Sequence, residues 1–529
     1  MGYARRRRAG YPDWAVGMGI FVGVGVLLAL VILMGSNDRH RRRGTPYDFG
    51  YERVGRYRPV SSAKYARAPG QSFLRVLPAE DIAWLVLGAH SPVAHVALAL
   101  KSAEQAGLAG RPAHEEVSAA LPYFMQFLAH DLAWRMDNTS APRVGGGGGW
   151  PGVFPSVANP RRPSEQLTFS TPPLDASAVY GSDPAVTREL RRRDGSGKLH
   201  TAHSPHHTEP LLPTENGKYR SGDPRVTEHV FTSGMRLLFH RVHNQFAKEL
   251  RRDNPSWDEK QLFYMAREIT MGCVQSIAYN EVLPLLLGRT RYNDFLAPES
   301  AAYRRHTRAG VFNEFATAAF ALWRLLVPDG MEARSPQTGA RTPALDLTFA
   351  EATEGPSVGG ALWTGGADAY LLGAAKQPAR QLSFVSAPFQ LPEAGIARGR
   401  DHGLPSYQHL YEAVMGEPLV SHTQISSVPS VRSALGAAYG PCCGTPIDLM
   451  VGLLAEDRLP GALFGEVGAY LLELQWAFLR DTDPYFYIWN PTLRPYLGRI
   501  KWFRFADALA LGTGIDTGVL DRLGSPFLA

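Results

Sequence analysis

The sequence predicts a mainly α-helical domain with long loops, preceded by one transmembrane helix. Three observations carry that expectation. Ala and Leu recur at helical spacing over 82–107, and a long helical block runs from Thr232 to Gly288. Strand-like alternation is scarce and no internal repeat is present. Near the start, Ala15 to Met34 forms an unbroken stretch without a charge.

That stretch, AVGMGIFVGVGVLLALVILM, has the length of a bilayer-spanning helix. A cleaved signal peptide is the bland alternative. The run exceeds a usual apolar signal core and no A-x-A site follows, so the anchor is the preferred reading. Arg5–Arg8 precede it and Arg39, Arg41, Arg42 and Arg43 follow it, so charge asymmetry gives no orientation. The expected organisation is a basic tail over 1–14, a transmembrane helix over 15–35, a polar linker over 36–75 and one domain over 76–529. The protein is thus expected to be single-pass, its membrane side undetermined, with room for a membrane-protein partner.

The chain has 529 residues, 45% hydrophobic and 20% charged, enough for a large core and against bulk disorder. The net charge of +6 gathers around the apolar run, and no basic patch in the motifs below points to nucleic acid. Three cysteines exclude a disulfide framework, and the neighbours Cys442 and Cys443 are poorly placed to pair with each other. Asn138-Thr139-Ser140 is a glycosylation acceptor triplet if it lies outside the cytosol.

Along the domain, Gly145–Gly149 reads as a flexible loop and 196–220 as a surface excursion. The block 232–288 should break at Asn254-Pro255 and at Pro284. Residues 330–366 read as an irregular insertion, and helices resume over 368–377, 407–415 and 461–480.

Four segments carry candidate chemistry. In PYFMQFLAHDLAWRMD, Gln126 and His130 share a helical face, while Asp131 points about 100° away. His130 could thus address a cofactor and Asp131 a cation, although a helical His beside an Asp is more often a structural pair. In STPPLDASAVYGS, Thr171, Asp175 and Ser177 alternate and supply hard oxygens of the kind calcium prefers; an ordinary turn is the competing reading. In SGDPRVTE, Arg225 and Glu228 are three apart and could face one site or form a surface ion pair. The fourth is RVHNQFA, running on to Gly288.

Taken together these segments resemble the animal haem peroxidase family. QFLAHD is similar to its distal-histidine helix, LDASAVYGS to its calcium loop and GDPRVTE to its catalytic-arginine segment. RVHNQFAKEL, RGRDHGLPSY near residue 400, GLLAE and LRDTDPYF follow in family order between about 78 and 490. The resemblance implies a mainly α-helical peroxidase fold with haem b between distal and proximal helices.

It also implies roles. His130 would move the proton of hydrogen peroxide, Gln126 would orient water or halide, and Arg225 would stabilise charge as the O–O bond cleaves. Asp131, Thr171, Asp175 and Ser177, with the backbone of Pro173, would hold calcium. Glu228 stands where the family places a glutamate that can esterify a haem methyl.

The pattern departs from the family on the other haem face. In EFATAAFALWRLLVP the proximal histidine falls on Arg324, the arginine three before it on Ala321 and the preceding glycine on Trp323. The asparagine that orients that histidine falls on Pro446. Ala129 and His229 replace the two further covalent anchors. A guanidinium has no lone pair to give iron. His306 and His402 are poor substitutes, and Ala321 stands where a cyclooxygenase-like branch needs its tyrosine.

Two functions follow. One is a degenerate, membrane-tethered interaction or assembly module, like the peroxidase-like domains of dual oxidases. The other is an active haem peroxidase with an atypical axial ligand, oxidising small donors.

Overall fold

The structure is a computed structural model that describes residues 71–77, 93–103, 117–146, 151–296, 303, 309–353, 355–382, 391–442 and 444–528. The expected transmembrane helix, most of the linker, His306 and Cys443 lie outside them. Among the described residues no helix is long and apolar enough to cross a membrane.

Helices dominate, as the periodicity predicts. Those that position the site are α1 (Val93–Ala103), α2 (Ala120–Leu132), α3 (Val230–Asp253), α4 (Glu259–Ile277), α5 (Ala367–Lys376), α6 (Leu391–Asp401), α7 (Leu449–Ala455), α8 (Glu466–Thr482) and α9 (Phe505–Gly512). Helix α2 is almost wholly buried, because apolar residues surround its polar ones on every face. Helix α3 packs along α4 and receives α2, α5 and α9. Their buried faces join one hydrophobic core, with Trp476 of α8 fully enclosed. Tyr279 ties the layers by donating its hydroxyl to the Trp476 carbonyl at 2.6 Å and meeting its ring edge-on.

Several boundaries differ from the sequence reading. Helix α3 ends before Asn254-Pro255 as expected, and Asp258 restarts the chain with a capping box on Gln261. Pro284 does not break the block. After α4 a π-helical turn, Ala278–Val282, hands over to Leu283–Leu287, where Pro284 occupies a first-turn position that needs no N–H donor. The insertion 330–366 is partly helical, over Phe349–Thr353 and Gly355–Gly365. Residues 315–326 do not form one regular helix: a π turn over Phe315–Ala319 runs into a 3-10 turn over Phe320–Leu326.

The scarce strands are short. β1 (Gln71–Ser72) and β2 (Ala158–Asn159) flank β3 (Arg162–Thr168), both antiparallel to it. The end of the expected linker 36–75 is therefore structured. Beyond β1, Arg75 donates to the carbonyls of His402 (2.6 Å) and Gly403 (2.9 Å), and the Glu314 carboxylate accepts from Val76 and Leu77 N–H. Cys273 is a free buried thiol and Cys442 is disulfide-bonded, which corrects the expectation that the pair at 442–443 stays open.

Candidate functional site

Helix α2 carries Gln126 and His130 one turn apart, both buried. Gln126 makes no hydrogen bond to any described residue. His130 sits between two groups of opposite charge. Its Nδ1 is 3.0 Å from Nη2 of Arg236 on α3, and its Nε2 is 3.7 Å from a Glu228 carboxylate oxygen. An arginine can only donate, so Nδ1 accepts and the neutral ring carries its proton on Nε2. Burial, then the charges of Arg225, Arg236, Arg324 and Arg135, hold the imidazole well below the usual histidine range.

Arg225 lies on a short 3-10 turn, Pro224–Thr227, capped by Asp223. It donates to the His130 carbonyl at 3.0 Å and the Ala133 carbonyl at 3.1 Å, closing the C-terminal end of α2. Asp223 accepts from it at 2.5 Å and stands 3.3 Å from Arg236. Burial alone would push the Asp223 carboxyl up, but these two guanidiniums hold it below the carboxylate range. The Glu228 side chain is 51% exposed, at the rim. The structure thus brings Arg225 to the His130 backbone and Glu228 to its ring.

The 320–326 turn packs directly on α2 and on α6. Arg324 projects from it toward the same place: its charge acts on His130, and Glu228, Arg225 and Arg398 act on it. It is half-buried, lies 5.0 Å from the ring of Trp323 and forms no hydrogen bond or ion pair with a described residue. Burial is the main cause that lowers its proton affinity to about 10. His402 stands apart in a structural network. It meets Asn313 Oδ1 at 2.6 Å and Thr317 Oγ1 at 3.1 Å through Nδ1, and Ser156 Oγ at 2.8 Å through Nε2. Pro446 precedes Asp448, whose carboxylate takes Arg400 at 2.7 Å and the Tyr439 hydroxyl at 2.9 Å.

On the far side of α2, Asp131 is fully buried. It accepts from Ser177 Oγ at 2.8 Å and from Ala176 and Ala178 N–H. Asp175, equally buried, accepts from Thr171 Oγ1 at 3.0 Å and from Ser177 N–H, while its own N–H meets the Pro173 carbonyl at 3.0 Å. The loop holds Ala176 at φ 55, a left-handed conformation, and its N–H donates to the Asp131 carboxylate at 3.0 Å. Burial, then the facing Asp175, pushes Asp131 up to about 8; Asp175 rises to about 6 by burial, against Arg267, whose Nη2 is 3.9 Å away. Of the residues expected around a cation, Ser177 bonds both Asp131 and Asp175, Thr171 bonds Asp175, and the Pro173 carbonyl accepts from Asp175 N–H. Among the described residues no three acidic, His or Cys side chains form a metal cluster, so any cation would rest on two carboxylates and neutral oxygens.

Sequence reasoning missed Arg236, Arg135 and Arg398. Arg236 is fully buried in the middle of α3, and nothing local marks it as the partner of a histidine 106 residues away.

The family model for the animal haem peroxidase matches residues 151–494, which hold Arg225, Glu228 and Arg324 but begin after α2. Eosinophil peroxidase of Homo sapiens is 29% identical over 400 residues, covering 68% of this chain and 54% of the relative. The peroxidasin homolog of Homo sapiens is 31% identical over 372 residues, covering 64% of this chain and 25% of the relative. The chain thus spans about half the length of one and a quarter of the other. In fold it is similar to peroxidase A from Dictyostelium discoideum, with TM-score 0.70, 19% identity, and 88% and 99% of the two chains covered. It is also similar to fatty acid alpha-dioxygenase of Oryza sativa, with TM-score 0.67, 16% identity, and 98% and 99% covered.

Proposed function

Because the chain belongs to the animal haem peroxidase family, we propose that it keeps that family's scaffold without ordinary peroxidase turnover and serves as a membrane-tethered interaction or assembly module. One observation carries the reading: Arg324, where the family resemblance expects the proximal iron ligand, stands in the pocket of His130 with no described acceptor.

Haem is the cofactor that family membership implies, and the residues here do not fit its iron. A guanidinium cannot coordinate a metal, and His402, the described histidine nearest in role, is committed to Asn313, Thr317 and Ser156. The 320–326 turn packs on α2, where a cofactor between the two faces would need room. The opposite face is compromised as well. With its proton on Nε2 and Arg236 against Nδ1, His130 is a donor, whereas a peroxide proton needs an unprotonated nitrogen.

The tether in this reading is the apolar run over 15–35, and the partner would be another membrane protein. Calcium is proposed at Asp131, Thr171, Pro173, Asp175 and Ser177. Two buried carboxylates need a compensating cation, and Arg267 at 3.9 Å serves only one of them.

A working peroxidase that oxidises small donors with hydrogen peroxide is the second reading. The arrangement of His130, Arg225 and Glu228 favours it. The absorption spectrum of the full chain supplied with haem separates the two. The scaffold reading expects no stoichiometric Soret band; a band that shifts on adding hydrogen peroxide would overturn it.

A further inference from the structure

The chain between α8 and α9 packs on α4 and presents a tryptophan to solvent. Gly272 of α4 lets it come close: a Cβ there would stand 3.0 Å from Ile500 and 3.2 Å from Leu493, both buried. Ser276 donates to the Phe503 carbonyl at 3.2 Å, and Asn280 donates to the Lys501 carbonyl at 3.2 Å. Ile500, Phe503 and Phe505 are buried, and Trp502 among them is not. At 71% exposed it is the most open large apolar side chain among the described residues. The backbone on both sides is pinned, so the residue cannot turn inward without breaking those hydrogen bonds.

A single exposed apolar residue is ordinary. The charges around this one are not evenly mixed. Residues 491–504 carry Arg494, Arg499, Lys501 and Arg504 and no Asp or Glu. Lys501 Nζ stands 5.3 Å from the Trp502 ring, and the three arginines are exposed. Acids approach from neighbouring elements, and each already has a donor. Glu249 of α3 pairs with Arg499 at 2.7 Å, and Asp253 pairs with Arg252 at 2.7 Å. Asp507 and Glu281 accept from the N–H groups of Arg504 and Phe505. With exposed Lys248 on α3, the basic groups outnumber these acids.

We infer that this face rests on an anionic phospholipid surface, with Trp502 in the headgroup layer and the basic side chains against lipid phosphates and carboxylates. An indole suits that depth, because its ring is apolar while its N–H stays hydrated. A basic fringe adds attraction to anionic lipid. Reach favours the same occupant. Residues 36–70, between the apolar run and β1, span at most roughly 120 Å, so the domain stays beside any bilayer that the run enters. In that respect the inference rests on the tether reading.

The test is tryptophan quenching in the full chain reconstituted into vesicles of phosphatidylcholine with brominated acyl chains, with phosphatidylserine added or left out. W502F, W14F, K501E and W363F are compared with the parent. Trp14 borders the apolar run in sequence, so its quenching reports the tether. Trp363, 36% exposed on the helix Gly355–Gly365, is the control. With phosphatidylserine present, W502F should lose a part of the quenching that W14F and W363F keep. That part should fall about twofold or more in K501E, and it should vanish in phosphatidylcholine alone or at high salt. Quenching in W502F equal to the parent's overturns the inference and leaves the face to a protein partner. Trp502 quenched as strongly in phosphatidylcholine alone overturns the anionic assignment. The two readings fail separately: quenching lost only in W14F sinks this inference and keeps the tether, and quenching lost only in W502F sinks the tether and keeps this inference.

Discussion

Nη2 of Arg236 lies 3.0 Å from Nδ1 of His130, and that contact decides which ring nitrogen carries the proton. The arginine cannot accept, so the imidazole must, and Nε2 becomes the donor that faces Glu228. A second proton would have to enter on Nδ1 against a cation, inside a buried pocket with three further arginines nearby. Nitrogen NMR of the ring should therefore show a neutral Nε2–H tautomer that does not titrate in the usual histidine range. Arg236→Met should raise the pKa of His130 and free Nδ1. An unprotonated Nε2 in the parent chain would restore the proton-acceptor role and remove this account.

Arg324 poses the opposite problem, a charge without a hydrogen-bonded partner among the described residues. Burial disfavours it, only the half-exposed Glu228 attracts it, and Arg225 and Arg398 repel it. Arg324→Leu should stabilise the fold by about 1–2 kcal/mol, because an apolar side chain suits the surrounding Phe320, Leu322 and Leu325. Urea unfolding of the two proteins measures it. A loss of stability would mean that the guanidinium has a partner in solution, and the pocket would need a different description.

The sequence made the helices, Asp131 and the loop at 171–177 legible, because helical periodicity and alternating oxygens are local signals. It also brought His130, Arg225 and Glu228 to one place through motif order. What stayed hidden depends on contacts between distant segments. Arg236 looks like an ordinary helical arginine until α3 crosses α2. Arg398 becomes a clamp only when the fold brings α6 to Asp137, beyond the end of α2. Strand β3, RPSEQLT, has little β-branched character and forms because residues 71–72 and 158–159 offer it edges. The irregular turns over 315–326 were also unreadable, since EFATAAFALWRLL is apolar enough to pass for a plain helix.

The two buried carboxylates predict a metal response. Asp131 on α2 and Asp175 on the loop are joined through Ser177, and among the described residues no lysine or arginine closer than Arg267 at 3.9 Å pairs with either. Added calcium should raise the melting temperature of the full chain, chelation should lower it, and Asp175→Asn should abolish the response. A shift of several degrees is the expected scale for about 1 kcal/mol or more of bound-state stabilisation. An unresponsive parent chain would leave the loop as a hydrogen-bonded turn held by Thr171 and Ser177.

Glu281 offers a clean pH dependence away from the pocket. Its carboxylate accepts from Phe505 N–H at 2.6 Å at the start of α9, yet burial pushes its pKa up to about 7. The folded value lies above the unfolded one, so the protonated form favours the fold. That contribution is complete below about pH 4.5 and is lost as pH rises through about 7. Glutamine keeps an oxygen for Phe505 and does not titrate. The stability of Glu281→Gln relative to the parent should therefore grow between about pH 5 and pH 8, by roughly 2 kcal/mol once partial exposure is allowed for. Comparing the two proteins at each pH cancels every other titrating group. A difference that stays flat would show that Glu281 ionises in the fold as readily as in the unfolded chain, and that the Phe505 contact outweighs its burial.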